Sequence, residues 1–91
     1  MVCSMRYDVA VESRALKQMG KLPRDVAEDV WNAIRVLTED QRPRGCRKIR
    51  GTRDTWRVVV RADYRVLYEV LDVERRVTVF DVDRREKDTY N

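Results

Sequence analysis

The stretch that decides the fold is WRVVVRADYRVLYEV, which spans residues 56–70. Apolar and aromatic residues stand at every second position in both of its halves, at positions 56, 58 and 60 and again at 64, 66, 68 and 70. This alternation is typical of strands with one buried face. Asp63 between the halves predicts a tight turn, so the two strands should pair antiparallel. Arg57 and Arg65 then lie on the face opposite the apolar side chains.

The flanking segments add two helices and more strands. A strand is expected over residues 6–12, a short helix over 13–20 and a second helix from Pro23 to Leu37. Further strands are expected at 48–50 and 76–82, and residues 84–90 form a last helical turn or an extended tail. The expected fold is therefore α/β of the α+β type: a strand, two helices on one face, then a three- to four-stranded antiparallel meander.

The length and composition favour one folded domain over residues 1–91. The chain of 91 residues is too short for two separate cores. Hydrophobic residues make up 43% of it, with two Trp, four Tyr and one Phe, which is more than a disordered chain usually carries. The aromatic residues expected in the core are Trp56, Tyr64, Tyr68 and Phe80.

Several classes of protein are disfavoured. The chain has no histidine, and Cys3 and Cys46 lie far apart, so neither a metal nor another cofactor is expected and the cysteines should be free thiols. No apolar run approaches the ~20 residues that cross a bilayer, and residues 1–7 lack the apolar stretch of a secretion signal. The expected location is the cytoplasm, without membrane contact.

Positive charge is concentrated in the middle of the chain. Residues 41–65 contain nine basic and two acidic residues, a net charge of +7 within a chain whose total is +4. Such a segment suggests a polyanionic partner, most simply a nucleic acid. The alternative is a solvated basic face that only keeps the protein soluble.

Three strand segments and the tail carry a resemblance to a known family. The segments are KIRG (48–51), WRVVVR (56–61) and DYRVLYEV (63–70), and the tail is RREKDTY (84–90). Together with the upstream strand and helices they resemble the RelE/ParE superfamily of bacterial toxins. The resemblance implies that a cognate antitoxin holds the protein inactive in a hetero-oligomer. RelE-like members cut mRNA on the ribosome without a metal, whereas ParE-like members poison DNA gyrase.

The resemblance implies a RelE-like endoribonuclease site built mainly from arginines. Cleavage by attack of the ribose 2′-OH on its own phosphate needs a base, an acid and cations beside the crowded phosphorane. Guanidinium groups can supply the cations, and a tyrosine can stack on a base. The implied catalytic residues are Arg57, Arg65, Arg85 and Tyr90, and the implied RNA-binding residues are Lys48, Arg50 and Arg61.

Alternatives remain open for individual residues and for the whole chain. Arg65 could instead form a surface ion pair with Asp63 or Glu69, and Tyr90 could be a packing residue. RelE-like enzymes tend to carry lysines where this chain has Arg57 and Val59, and arginine is a poor base at neutral pH. The general base is therefore unassigned among Lys48, Asp83, Lys87 and Tyr90. Besides the ribonuclease, a gyrase poison and a basic binding module without activity remain possible functions.

Overall fold

The computed structural model describes residues 6–84 of the chain. It contains two helices and five strands: β1 (Asp8–Val11), α1 (Ser13–Gly20), α2 (Arg24–Val36), β2 (Arg47–Lys48), β3 (Thr55–Val60), β4 (Tyr64–Leu71) and β5 (Arg76–Arg84). The predicted α+β class and element order are confirmed. The strand predicted at 48–50 forms as the two-residue β2, so its first residue is Arg47.

The strands form one mixed sheet in the order β1-β5-β4-β3-β2. Strands β2 to β5 form the predicted antiparallel meander. Strand β1 pairs in parallel with the last strand, so that Val9 lies opposite Val77. A parallel pair needs a long connection between its strands, and the helices and the meander provide it. As a result β5 lies between β1 and β4.

The core lies between the two helices and one face of the sheet. Tyr68 and Val30 are completely buried, on β4 and α2 respectively. Trp56 and Tyr64 pack against this core while remaining half-buried, in agreement with the sequence-based expectation. No helix among the described residues is long and apolar enough to cross a membrane. The buried residues are Ala15, Met19, Val26, Val30, Ile34, Leu37, Val60, Val66, Tyr68, Val70, Val77, Val79 and Val82.

Phe80 is an exception to the expected aromatic core. The register between β4 and β5 shifts, so that Leu67 lies opposite Asp81 whereas Tyr68 lies opposite Val79. Phe80 is the extra residue of this β-bulge, and it is only half-buried and outside the core cluster. The expectation that Phe80 belongs to the core is therefore wrong: Val77 and Val79 occupy the core face before the bulge and Val82 occupies it after the bulge.

The basic loop after α2 is attached to the core by Gln41. Its side-chain amide donates to the carbonyl oxygens of Leu37 and Thr38, at 2.9 and 3.2 Å, at the end of the helix. Its own carbonyl oxygen accepts a hydrogen bond of 2.9 Å from the hydroxyl of Tyr68. Gln41 thus links the end of α2, the loop and β4, which is the central strand of the sheet.

Arg42 attaches the same loop to Asp72, the residue that follows β4. Its guanidinium donates to the Asp72 carboxylate at 2.9 Å and lies 5.2 Å from the centre of the Trp56 ring. The hydroxyl of Tyr7 donates to the other oxygen of Asp72 at 2.7 Å. These two donors lower the pKa of the Asp72 carboxyl, the Tyr7 hydrogen bond having the larger effect. Arg42 is therefore already neutralised by a carboxylate.

The buried phenol of Tyr68 predicts a loss of stability in alkali. Burial raises the pKa of Tyr68, and the neighbouring Cys46 adds to the rise. The folded state then holds the phenolic proton more tightly than the unfolded state, whose tyrosine pKa is about 10. The resulting stabilisation is complete below about pH 10 and is lost as the pH rises above it. We expect the free energy of unfolding to fall steeply in that range.

Urea denaturation between pH 8 and pH 11 measures this effect. The proteins compared are the wild type, Tyr68→Phe and Tyr64→Phe. Tyr68→Phe removes the titrating group. Its free energy of unfolding should therefore fall less steeply above about pH 10 than that of the wild type. Tyr64→Phe serves as the matched control and should follow the wild type. Parallel curves for the wild type and Tyr68→Phe would show that Tyr68 is not the group responsible.

Candidate functional site

The sheet face that points away from α1 and α2, here called the open face, carries most of the charged side chains of the meander. Because Val58, Val60, Val66 and Tyr68 face the helices, the residues between them in β3 and β4 face the opposite way. Direct cross-strand partners share a face, which adds Arg47 of β2 and residues of β5 such as Asp83. The residues of the open face include Arg47, Arg57, Val59, Arg65, Leu67, Glu69 and Asp83.

Arg57 and Arg65 lie diagonally on the open face. Arg57 is directly opposite Leu67, and Arg65 is directly opposite Val59. Diagonal neighbours across an antiparallel pair are ~7–8 Å apart, within reach of two long side chains. Both arginines are half-buried, and their Nε atoms are buried without a hydrogen-bond partner among the described residues. Two cations are thus held side by side with unused donors.

The carboxylate nearest to Arg65 belongs to Asp83. The register places Asp83 directly opposite Arg65, and the two side chains form an ion pair of 3.4 Å. The pairing of Arg65 with Asp63 or Glu69, considered above as an alternative, is not the one observed. The Arg65 side chain is about one-third exposed and that of Asp83 about one-half, so the pair is a weak surface interaction. A phosphate could therefore replace Asp83 at little cost.

Lys48 and Arg50 lie at the edge of the sheet. Lys48 is the cross-strand partner of Trp56 and thus shares the face that packs against the helices, although its side chain is exposed. Arg50 is exposed in the turn between β2 and β3, where Gly51 adopts a φ of +84°. The structure therefore does not bring Lys48 onto the open face, and Arg50 lies in the turn that follows β2.

Arg61 is not part of the open face. Its guanidinium forms ion pairs with Asp29 and Asp25 on α2, on the helix side of the sheet. The hydrogen bond to Asp29, more than any other contact, raises the pKa of Arg61. Arg61, expected from the resemblance to bind RNA, does not follow the alternation that places Arg57 on the open face, because β3 ends at Val60. Arg61 already adopts the left-handed conformation of the turn, with φ of +57°, so the alternation of the strand no longer applies to it.

Two further predicted site residues, Arg85 and Tyr90, lie outside the described residues, as does Lys87. The structure adds Arg47, which the sequence reasoning did not select for the site. Arg47 is the direct partner of Arg57 across β2 and β3. The sequence could have indicated this position of Arg47 only through the register that the turn around Gly51 sets between β2 and β3. A shift of that register by one residue would move every side chain of β2 to the other face of the sheet.

Known proteins are similar to this chain over nearly its whole length. The family model described as "ParE toxin of type II toxin-antitoxin system, parDE" matches residues 9–89. The curated protein "mRNA interferase toxin RelE" of Escherichia coli K12 is 32% identical over 84 residues, which cover 91% of this chain and 87% of that protein. The family model thus carries the ParE name, whereas the curated relative carries the RelE name.

Solved structures share the fold. The isolated E. coli RelE toxin superimposes with a TM-score of 0.79 at 30% identity, covering 91% of this chain and 88% of that one. The toxin of the intact E. coli RelBE toxin–antitoxin complex gives a TM-score of 0.77 at 30% identity, with 89% and 99% covered. The strand segments that suggested the resemblance, and the tail as far as Thr89, lie within the residues that the family model matches. This chain therefore belongs to the RelE/ParE superfamily of toxins from type II toxin–antitoxin systems.

Proposed function

We propose that this toxin is a ribosome-dependent, metal-independent mRNA endoribonuclease that inhibits translation. The observation that carries the proposal is the 32% identity, over 91% of the chain, to a protein described as an mRNA interferase. The diagonal arrangement of Arg57 and Arg65 on the open face supports the proposal, since cleavage of RNA needs cations around one phosphate. A cytoplasmic location and a single toxin domain over residues 1–91 are parts of the same proposal.

The proposed chemistry is attack by the ribose 2′-OH on the adjacent phosphorus, with loss of the 5′-oxygen of the next nucleotide. Arg57 and Arg65 would stabilise the charge that develops on the phosphorane oxygens, because a guanidinium can donate to two oxygens at once. Arg85 would act beside them, and Tyr90 would stack on a base or orient the attacking hydroxyl. Arg50, exposed in the turn after β2, would bind a flanking phosphate.

The base that removes the 2′-OH proton is sought among the four candidates named from the sequence. Lys48 shares a face with Trp56 and not with Arg57, which argues against it. Asp83 lies on the open face and contacts Arg65 at 3.4 Å. A carboxylate oxygen there can accept a proton. Asp83, together with Lys87 and Tyr90 of the tail, therefore remains a candidate.

We also propose that a cognate antitoxin binds this chain and neutralises it in a hetero-oligomer. The support is that the toxin of E. coli, at 30% identity, occurs in a solved toxin–antitoxin complex. A largely disordered antitoxin segment would wrap the small toxin and present acidic side chains to its basic surface.

A gyrase-directed toxin is the second candidate function. It is favoured by the family model, whose description names ParE and which matches residues 9–89. Such a toxin would bind its target without cutting RNA, so it would need no general base. A basic module that binds nucleic acid without activity is the remaining alternative.

Expression of the chain without an antitoxin is expected to stop bacterial growth through translation. Incorporation of labelled amino acids should fall within minutes of induction, before thymidine incorporation, and ribosome-bound mRNAs should acquire new 5′ ends. The double variant Arg57→Ala/Arg65→Ala should lose the effect. The control Arg35→Ala, an exposed arginine of α2, should keep it. If DNA synthesis stops first with an SOS response while mRNAs stay intact, the gyrase alternative is correct.

A further inference from the structure

We propose that Arg47 and Arg57 form a second phosphate-binding site for RNA, on the open face beside Arg65. This inference rests on the proposed function, because it concerns how the same face holds its RNA. The two arginines are direct cross-strand partners on β2 and β3. Arg65 lies diagonally from Arg57 on the next strand. The open face thus carries one cation on each of three adjacent strands.

The direct pairing of Arg47 with Arg57 is unfavourable for the folded protein alone. Residues directly opposite in an antiparallel pair have Cβ atoms ~4.5–5.5 Å apart, and like charges at that distance repel each other. Within residues 6–84, no carboxylate lies within ion-pairing distance of either guanidinium. Arg42, Arg61 and Arg65, in contrast, each contact an aspartate. An anion supplied from outside would remove this repulsion.

The donors of Arg57 point to the same conclusion. Its Nε atom is buried but has no hydrogen-bond partner among the described residues. Buried polar atoms in proteins are nearly always paired, so an unpaired donor calls for a missing partner. A phosphate oxygen would satisfy this donor if the Arg57 side chain turned outward, and a planar guanidinium binds phosphate through two parallel hydrogen bonds.

Arg47, Arg57 and Arg65 form a row across three strands. The dimensions and the surroundings of this row favour a single-stranded RNA as its ligand. Adjacent strands are ~4.8 Å apart, so the row from β2 to β4 extends ~10 Å, which suits two neighbouring phosphates. Val59 and Leu67 lie among the three arginines on the same face, and Val59 is 39% exposed. They offer an apolar surface to an unstacked base. An acidic antitoxin segment is the competing occupant, which the experiment distinguishes.

The test compares the full-length wild type with Arg47→Ala, Arg47→Lys and the control Arg35→Ala. The probe is a fluorescent single-stranded RNA of twelve nucleotides with 2′-O-methyl riboses, which cannot be cleaved by its own 2′-OH. Anisotropy is measured at several salt concentrations. Arg47→Ala should weaken binding about 10-fold or more, and the slope of log K against log salt should become less steep by about 0.7. Arg47→Lys should keep the slope and lose part of the affinity.

A second measurement separates binding from a structural role. Because Arg47→Ala removes a repulsive neighbour, its melting temperature without ligand should equal or exceed that of the wild type. Added inorganic phosphate should raise the melting temperature of the wild type more than that of the variant. A residue that only supports the fold would show the opposite pattern, with a lower melting temperature and an unchanged response to phosphate.

The outcomes for this site and for the proposed function are distinguishable. If the wild type binds the RNA, the binding depends on Arg47, and no cleavage occurs on ribosomes, the site is supported while the ribonuclease function fails. If Arg47→Ala binds the RNA with the affinity and salt slope of the wild type, the site is wrong. Slower association of that variant with the antitoxin would then assign Arg47 to the antitoxin interface.

Discussion

Arg65→Ala is expected to abolish toxicity while leaving the fold intact. Its guanidinium lies on the open face beside Arg57, and removal of one group that stabilises a charged transition state typically costs about 10²–10³-fold in rate. The loss in stability should be small, because the ion pair with Asp83 is a surface contact of 3.4 Å and such pairs contribute ~0–1 kcal/mol. Growth after induction, cleavage of ribosome-bound mRNA and the melting temperature measure the two effects separately.

Asp83→Asn breaks the same ion pair from the other side, and it also removes the carboxylate that is a candidate base. Loss of toxicity in both variants would mean that Arg65 acts only through this pair or that Asp83 is the base. If Arg65 binds the phosphate and Asp83 is a bystander, only Arg65→Ala should lose activity. Full toxicity of Arg65→Ala at equal expression would remove this residue from the site. Arg85→Ala carries the same expectation from the sequence.

Tyr68→Ala is expected to be the most destabilising single change discussed for the fold. The side chain is completely buried, and its hydroxyl donates to the carbonyl oxygen of Gln41 at 2.9 Å. Truncation of a buried aromatic residue costs ~3–5 kcal/mol. The total stability of a small protein is only ~5–15 kcal/mol. We expect the variant to lose a large part of its stability, with a lower urea midpoint and a lower melting temperature.

Tyr68→Phe and Leu67→Ala provide the comparisons for this change. Tyr68→Phe keeps the ring and leaves the Gln41 carbonyl without its donor, so it should cost only ~1–3 kcal/mol. Leu67 is the neighbouring residue in β4 but lies half-buried on the open face, so Leu67→Ala should cost less than Tyr68→Ala. A urea midpoint of Tyr68→Ala within error of the wild type would contradict the assignment of Tyr68 to the centre of the core.

Local patterns in the sequence were sufficient for most of the elements. The alternation in residues 56–70 predicted β3, the turn and β4, and the helical spacing from Val26 to Leu37 predicted α2. Such patterns work because each element must place its apolar residues on one face. They also placed Arg57 and Arg65 together on the opposite face, where the structure has them. The strand and tail segments further pointed to the superfamily to which the chain belongs.

The tertiary structure alone decided the features that depend on pairing between distant segments. The parallel pairing of Asp8 with Arg76 and the ion pair of Arg42 with Asp72 join residues far apart in sequence, and no local period specifies them. The bulge at Phe80 and the left-handed turn at Arg61 interrupt the alternation, so extrapolation of faces across them fails. The position of Arg47 opposite Arg57 depends on the register of β2. Register is fixed only when the strands pair, since a slip of one residue moves every side chain to the other face.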